Sequence, residues 1–559
     1  MKPGPKPSTN RGKAVQPPHP DAGGSSRNPW WWPLLPAAAA FLLYLAQIPA
    51  ASGDKDGSEF TLVLAFAGAA HPTGYPIYTL VGHVFCSALH GLGASWPWAA
   101  NTWSALGAAV AVFFLNALSL RLLPASAPMR KTSRFLAGLA PTLFFALNPI
   151  WTYEATLAEV YSWHVAWALL TAFVFSGMSR ALASPSAQWA ERQSRRVALV
   201  LGLLVGFGAA HHATSLFVSI PLALSLWMAS RPLRRLGLRH AGLFAAAAAV
   251  PLCSYLFIAW RAFHPAAWNW PTLGASWGSI VDHIRGAAYG HFLGGFNPSP
   301  EQLSFLSAYV YPVLFPSMAL LLAGTLRLTP GPAAWTARGL SLAAVLSLTY
   351  AFNYSVPDPS SYFLAPMAIA VAASVPGAAW LFRRPDIARR GRVAVAALLA
   401  AATLLVAPGW IRTGEERRQV MTHFDEQIHG MWDAVPFERA IILFPNDLNT
   451  RLREYQLLRG EKPGLEVCNP LQIIDPVVRT AFRRRHGFDP AAGVPAVEPS
   501  GEEGTRLRTE AVARTVNENS PLPVVVFDPA NGSVRLMKKP SPPPGGVPPD
   551  RPEGRQAPE

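Results

Sequence analysis

Three carboxylates fall within six residues, at Asp54, Asp56 and Glu59, and His71 follows after an apolar run. A hydroxyl is a poor nucleophile, and a carboxylate can orient it and accept its proton as a new bond forms. Asp56 and Glu59 are three residues apart, so on a helix both can face one site. Ser58 is placed to cap such a helix, whose N-terminus would stabilise the acids. The run Phe60 to Ala70 has eleven residues, too few to cross a bilayer, which takes about 20. It is then broken by His71-Pro72-Thr73-Gly74-Tyr75-Pro76. The expectation is a pair of short helices at a membrane surface, with the acids at the mouth of the first. The plain alternative is that Asp54 and Asp56 only solvate a loop.

The rest of the chain must hold that loop. Of 559 residues, 51% are hydrophobic and 14% charged, against a usual charged share of about 25%. Long charge-free runs recur from Trp30 to Trp410, so a polytopic α-helical membrane protein is expected. The net charge of +15 could suggest nucleic acid, but the basic residues sit mostly in short loops between apolar runs, where they set topology. Cys86, Cys253 and Cys468 are far apart, which gives neither a disulfide framework nor a zinc spacing. No metal or other cofactor is expected.

Residues 1–28 are rich in Pro, Gly, Ser and basic residues, as in a disordered cytoplasmic tail. The next apolar segment is too long for a signal-peptide core and reads as an anchor. About eleven transmembrane helices are expected within 29–412, near 30–51, 99–119, 135–150, 160–180, 197–211, 213–230, 240–260, 304–326, 339–354, 363–382 and 393–411. The first outer loop is then 52–98. With the N-terminus inside, inner segments carry 24 Lys and Arg and outer loops carry 3, namely Lys55, Arg261 and Arg285. Of ten acids between residues 29 and 412, eight lie in outer loops or at outer span ends. Only Glu191 and Asp386 lie inside.

The other outer loops mix aromatic and polar groups. Trp151-Thr152-Tyr153-Glu154 leads to Glu159-Val160-Tyr161. Glu154 and Glu159 are five apart and so do not share a helical face, while Glu159 would sit in the first turn of a span. His211 and His212 make the next turn. A long loop, 261–303, holds Arg261, Trp268-Asn269-Trp270, His283 and Tyr289, and the last outer loop holds Asp358 and Tyr362. Rings that stack and acids that bind hydroxyls suit a sugar site. For any single Trp or Tyr, an interfacial aromatic belt is the plain alternative.

After Arg412 the chain has soluble character. Strands are expected at 440–444, 464–468 and 521–527, with a helix at 449–458. This predicts a small α/β extracytoplasmic domain over 413–535, without a phosphate loop or a catalytic triad, which positions an acceptor. A Pro-rich tail, 536–559, is expected to be disordered.

The first outer loop resembles the protein O-mannosyltransferase-like family of GT-C membrane glycosyltransferases, bacterial relatives of the animal transmembrane O-mannosyltransferase. That family carries Asp-Ser-Gly-Glu, an apolar stretch, and His-Pro-Pro-Gly-Tyr-Pro-Leu-Tyr. Here the matching residues are Asp56-Gly57-Ser58-Glu59 and His71-Pro72-Thr73-Gly74-Tyr75-Pro76-Ile77-Tyr78, with the Gly and Ser exchanged and Thr73 in place of a Pro. Asn101, Glu159-Val160-Tyr161, His211-His212, Asp358 with Tyr362-Phe363-Leu364, and the strand-turn with Asp447 are also similar. The resemblance implies transfer of a sugar, mannose above all, from a polyprenyl-phosphate donor to an exported Ser or Thr hydroxyl. It favours Asp56 as the base, with Glu59 beside it and Asp54 as the runner-up. His71, Tyr75, Glu154, Glu159, Tyr161, His211, His212, Arg261, Asp358 and Tyr362 are then the candidate substrate-binding residues. Arg261 and the two histidines are the candidate partners of the donor phosphate.

The partners implied are the bilayer, the lipid-linked sugar donor and an exported protein or glycan acceptor, with no nucleic acid. The Ala-, Pro- and Arg-rich composition is associated with high-GC bacteria, so a bacterial inner membrane with an extracytoplasmic C-terminus is expected. A glycolipid or cell-wall glycan acceptor is the main alternative. A transporter is another, although it would place charges near mid-membrane in matching broken helices. The charge bias gives a first prediction: reporter fusions after Arg196 and after Arg412 should report opposite sides of the membrane. The same side for both would contradict the topology.

Overall fold

The computed structural model describes residues 29–54, 56–123, 131–181, 187–229, 238–295, 297–327, 332–356, 358–381, 389–445, 448–494, 501–528 and 533–539. Residues 1–28 and 540–559 and the turn at Asp447 lie outside the described residues; the start of the expected Pro-rich tail is instead structured, with Leu536 ending a strand and Met537 N donating to Val524 O.

Helices lie over all eleven expected segments, from Leu34–Gln47 to Arg389–Asp433. By length and composition, however, four of them are long and apolar enough to cross a membrane among the described residues, or six if each bent pair is one span. Two expected segments are bent at breaks that an apolar run does not reveal, and others, such as Leu34–Gln47 and Ala213–Ala229, are apolar but shorter than a span. Lys131–Ala146 meets Pro149–Thr156 at 70°, and Pro300–Tyr309 meets Tyr311–Leu326 at 52°. Pro149 has no N–H to give and starts a new helix, with the Asn148 side chain capping it through Ile150 N at 3.0 Å. The largest core cluster of the helical part is built mainly of Ala, Leu, Val and Phe, and within it the Trp151 indole N–H donates to the Tyr44 hydroxyl at 2.9 Å.

The two short helices after residue 56 are Gly57–Phe66 and Pro76–Gly91. They do not both lie on a surface as expected. Nine residues of Gly57–Phe66 are buried, because Trp96–Leu122, Pro76–Gly91 and the C-terminal helix Asn449–Arg459 pack round it. Pro76–Gly91 does keep an exposed apolar edge at Leu80, Val81 and Val84.

The C-terminal part is a four-stranded sheet among the described residues: β1 Ala440–Leu443, β2 Leu465–Cys468, β3 Val524–Asp528 and β4 Ser533–Leu536. The order is β2-β1-β3-β4, with β1 parallel to β2 and β3 and β4 antiparallel at the edge. The central strand β1 is buried on both faces, as parallel strands are. Ala440 and Ile442 face Met431, Trp432 and Tyr455, whereas Ile441 and Leu443 face Phe482, Val512 and Val516. The expected boundary at 412–413 carries no break, for Arg389–Asp433 is one continuous helix of 45 residues. The soluble part is therefore joined to the last apolar segment by a helix rather than a linker.

One contact crowds the start of the acid-bearing helix. A Cβ on Gly57 would run into the Ser52 carbonyl oxygen, which is backbone and cannot swing away. Only glycine fits there, so this chain has Gly before Ser. Gly57→Ala should lower stability by about 1–3 kcal/mol through overpacking, more than Ser58→Ala. Thermal unfolding of the two purified variants checks this, and equal midpoints would contradict it.

Candidate active site

The helix begins at Gly57, with Asp56 in the capping position but without a side-chain cap bond. Ser58 is not the cap that its spacing suggested. It is the second helical residue and is 1% exposed, because the helix starts at Gly57, two residues earlier than a Ser58 cap would set it. Asp56 is left at the helix mouth with 37% of its side chain exposed.

Glu59, one turn on, is 1% exposed. His71 N donates to Glu59 Oε1 at 2.6 Å, and His71 Nδ1 lies 3.1 Å from both carboxylate oxygens. Burial raises the Glu59 pKa, and His71 draws it partly back. His71 Nδ1 also lies 3.9 Å from Asp56 Oδ2, and Nε2 lies 3.1 Å from the Tyr75 hydroxyl. An accessible carboxylate thus stands beside a buried Glu–His pair. Asp56, Glu59 and His71 each offer a ligand atom, all within 4.8 Å of one another. Hard oxygen donors with one imidazole fit a divalent cation, although the sequence reading expected none.

Gly74 at φ +86° and Tyr75 at φ +42° turn the chain in the left-handed region. The turn sets the Tyr75 ring 5.1 Å from His71 and 5.8 Å from a stacked His212. Trp270 and Tyr289 complete the wall at 5.7 and 6.0 Å from His71. Both were noted in the long outer loop but not assigned to a site. Asn269 Oδ1 accepts from Ala69 N at 3.0 Å and ties that loop to the helix return.

The other expected residues divide between this site and its surroundings. Asp54 is turned away from the cluster and accepts a hydrogen bond from the Tyr153 hydroxyl. Glu154 is buried and accepts from Ser361 Oγ at 2.6 Å. Glu159 is also buried, with its backbone N–H donating to Ser104 Oγ at 3.1 Å. Tyr161 and Tyr362 meet edge to face at 5.6 Å, each near His212. With His164, Thr214, Ser347 and Tyr350 they line a narrow, partly open cleft.

His211 lies 3.2 Å from Val160 O, and His212 Nδ1 lies 2.7 Å from Thr214 Oγ1. Burial foremost, then His211 and His71, push His212 down to about 3. The ring is neutral near pH 7, so it offers a stacking face and hydrogen bonds rather than charge. Arg261 is carried to the other end of the acid-bearing helix, 3.4 Å from Phe66 O and 4.2 Å over the Trp260 ring. Its Nε is buried without a partner. Asp358 accepts from Ser360 in a local turn.

Sequence reasoning missed Arg417, Arg451 and Glu454, which reach the loop from the C-terminal part. Arg417 donates to Pro149 O, Thr152 O and Thr156 Oγ1 at 3.0–3.2 Å. Arg451 donates to Gly53 O. No local signal marks them, since each bond joins distant parts of the chain.

Residues 56–234 match the family model "Protein O-mannosyl-transferase TMEM260 N-terminal domain". The protein O-mannosyl-transferase tmem260 of Dictyostelium discoideum is 24% identical over 200 residues, or 35% of this chain. The match spans 23% of that relative's length. Among solved structures, the Archaeoglobus fulgidus oligosaccharyltransferase tethered to an acceptor peptide aligns with a TM-score of 0.50 at 12% identity. It covers 89% of this chain and 69% of that one. ArnT from Cupriavidus metallidurans in the apo state gives a TM-score of 0.45 at 13% identity, covering 89% of this chain and 93% of that one. The likeness read from the first outer loop is thus also found over residues 56–234, and the chain is similar to the protein O-mannosyltransferases in a polytopic helical membrane protein of GT-C fold.

Proposed function

We propose that this protein is a membrane glycosyltransferase that moves a sugar, mannose in the first instance, from a polyprenyl phosphate to an extracytoplasmic Ser or Thr hydroxyl. The observation that carries this reading is the exposed Asp56 carboxylate beside the buried Glu59–His71 pair. Asp56 orients the acceptor hydroxyl and takes its proton as the hydroxyl attacks the anomeric carbon. Glu59 holds His71, and His71 with Tyr75 fixes the edge of the site. The phosphate leaves without a dedicated acid, since it is already a stable anion. One displacement with a carboxylate on the attacking side inverts the anomeric centre, as in inverting glycosidases.

Arg261 is the proposed contact for the lipid phosphate, because its guanidinium keeps a buried Nε–H with no partner. The rings of Tyr161, Tyr362 and neutral His212 are proposed to hold the sugar. The proposed setting is a bacterial inner membrane, with the catalytic loop and C-terminal domain outside and about eleven crossings. A divalent cation held by Asp56, Glu59 and His71 would supply positive charge to the site.

Asp56→Asn keeps shape and removes the base, so turnover should fall roughly 10²–10⁴-fold with donor binding kept. Asp54→Asn should cost far less, since Asp54 is engaged by Tyr153. Steady-state assays of both purified variants decide this: full activity in Asp56→Asn would remove the loop from the chemistry. Arg261→Ala should raise the donor KM several-fold with a smaller change in kcat, and an unchanged KM would refute the phosphate contact.

A further inference from the structure

The C-terminal part was expected only to present an acceptor. Its helix Asn449–Arg459 instead packs directly on the acid-bearing helix. Arg451 in that helix is fully buried. One side of its guanidinium donates to Gly53 O, three residues before Asp56. The other side donates to Asp425 Oδ1 at 3.0 Å, on the long helix Arg389–Asp433. The same Asp425 oxygen accepts from the Tyr455 hydroxyl at 2.8 Å. Glu454 is 1% exposed and lies 3.8 Å from Arg451. Burial raises its pKa, while Arg451, Ser52 and Ser58 lower it. Ser52 and Ser58 bracket Asp56 in the chain, and Ser52 Oγ also lies 2.8 Å from Thr61 Oγ1 on the acid-bearing helix.

A second grip comes from Arg417 on the same long helix. It binds the carbonyls of Pro149–Thr156 and lies 5.1 Å over the Tyr153 ring. Tyr153 in turn donates to Asp54. The two residues at 53 and 54 are therefore held by groups that the C-terminal part supplies or braces. Asp56, next but one, is left half-exposed and without a capping bond.

We propose that Arg451 is a positioning residue, and that the helix Asn449–Arg459 is a clamp which sets where Asp56 emerges. The proposal rests on the reading of residues 54–59 as the catalytic loop. A guanidinium suits this place because its planar fork can bridge a carbonyl and a carboxylate at once, which an ammonium cannot. A loop freed at Gly53 moves the base, and a displacement of about 1 Å can cost a hundredfold in rate. The C-terminal domain is then part of the catalytic unit, not a detachable acceptor platform.

The test uses the full-length protein in detergent with Arg451→Lys and Asp425→Asn, which keep charge or shape, and with Arg451→Met as the severe variant. Hydrogen exchange of the 50–60 segment reads the clamp, and turnover per folded molecule reads its consequence. The expected result is faster exchange in that segment, kcat lowered roughly 10- to 100-fold and donor KM within about twofold, with Arg451→Lys milder than Arg451→Met. If Arg451→Met does not fold, the two conservative variants decide. Unchanged exchange at 50–60 in folded Arg451→Lys and Asp425→Asn would overturn the clamp. Faster exchange with unchanged kcat would instead overturn the catalytic reading of the loop, as would an active Asp56→Asn control.

Discussion

The structure turns on a buried carboxylate. Glu59 is 1% exposed, and an unpaired charge there would cost several kcal/mol. The chain meets that cost by folding back, so that the backbone and the ring of His71 both reach the carboxylate. Much of the site is arranged around this single pairing. It accompanies the tight return after Phe66, with Tyr75 in the left-handed region beside His71, while Trp270 and Tyr289 wall the site from a loop bonded to Ala69. It also separates two acids that the sequence sets side by side. Glu59 is committed to His71, and Asp56 stays at the open mouth.

How much of this was legible depended on how local the cause was. The Asp56, Glu59 and His71 grouping could be read because helical spacing and one short return bring it together. The positions of the apolar segments could be read from composition, but the bends could not. A break such as that before Pro149 depends on Asn148 capping a new helix, and the same apolar run would fit one straight span. Ser58 was misread as the cap because nothing in the sequence shows that the helix starts at Gly57. Three strands could be seen as apolar runs, whereas β4 could not, since Ser533–Leu536 is mostly exposed.

The contacts least visible in sequence are those between the two parts of the chain. Arg451 and Gly53 are 398 residues apart, and an arginine in a polar helix looks like any solvated charge. Its burial is explained by its partners: a carboxylate on one side and a free loop carbonyl on the other. The same holds for Arg417, whose guanidinium donates to the Pro149 and Thr152 carbonyls and to Thr156 Oγ1 along one side of Pro149–Thr156. Buried arginines of this kind join the helical and α/β parts into one unit around the acidic loop.

Asp56 is proposed to drive a single displacement at a sugar linked to a lipid phosphate. The most direct measurement is the anomeric configuration of the product. The purified protein would be given a polyprenyl-phosphate mannose and a Ser/Thr peptide, and the glycopeptide examined by NMR. The expected product is a mannosylated hydroxyl with configuration inverted relative to the donor. A product with retained configuration, or no transfer to the hydroxyl by the folded protein, would contradict it.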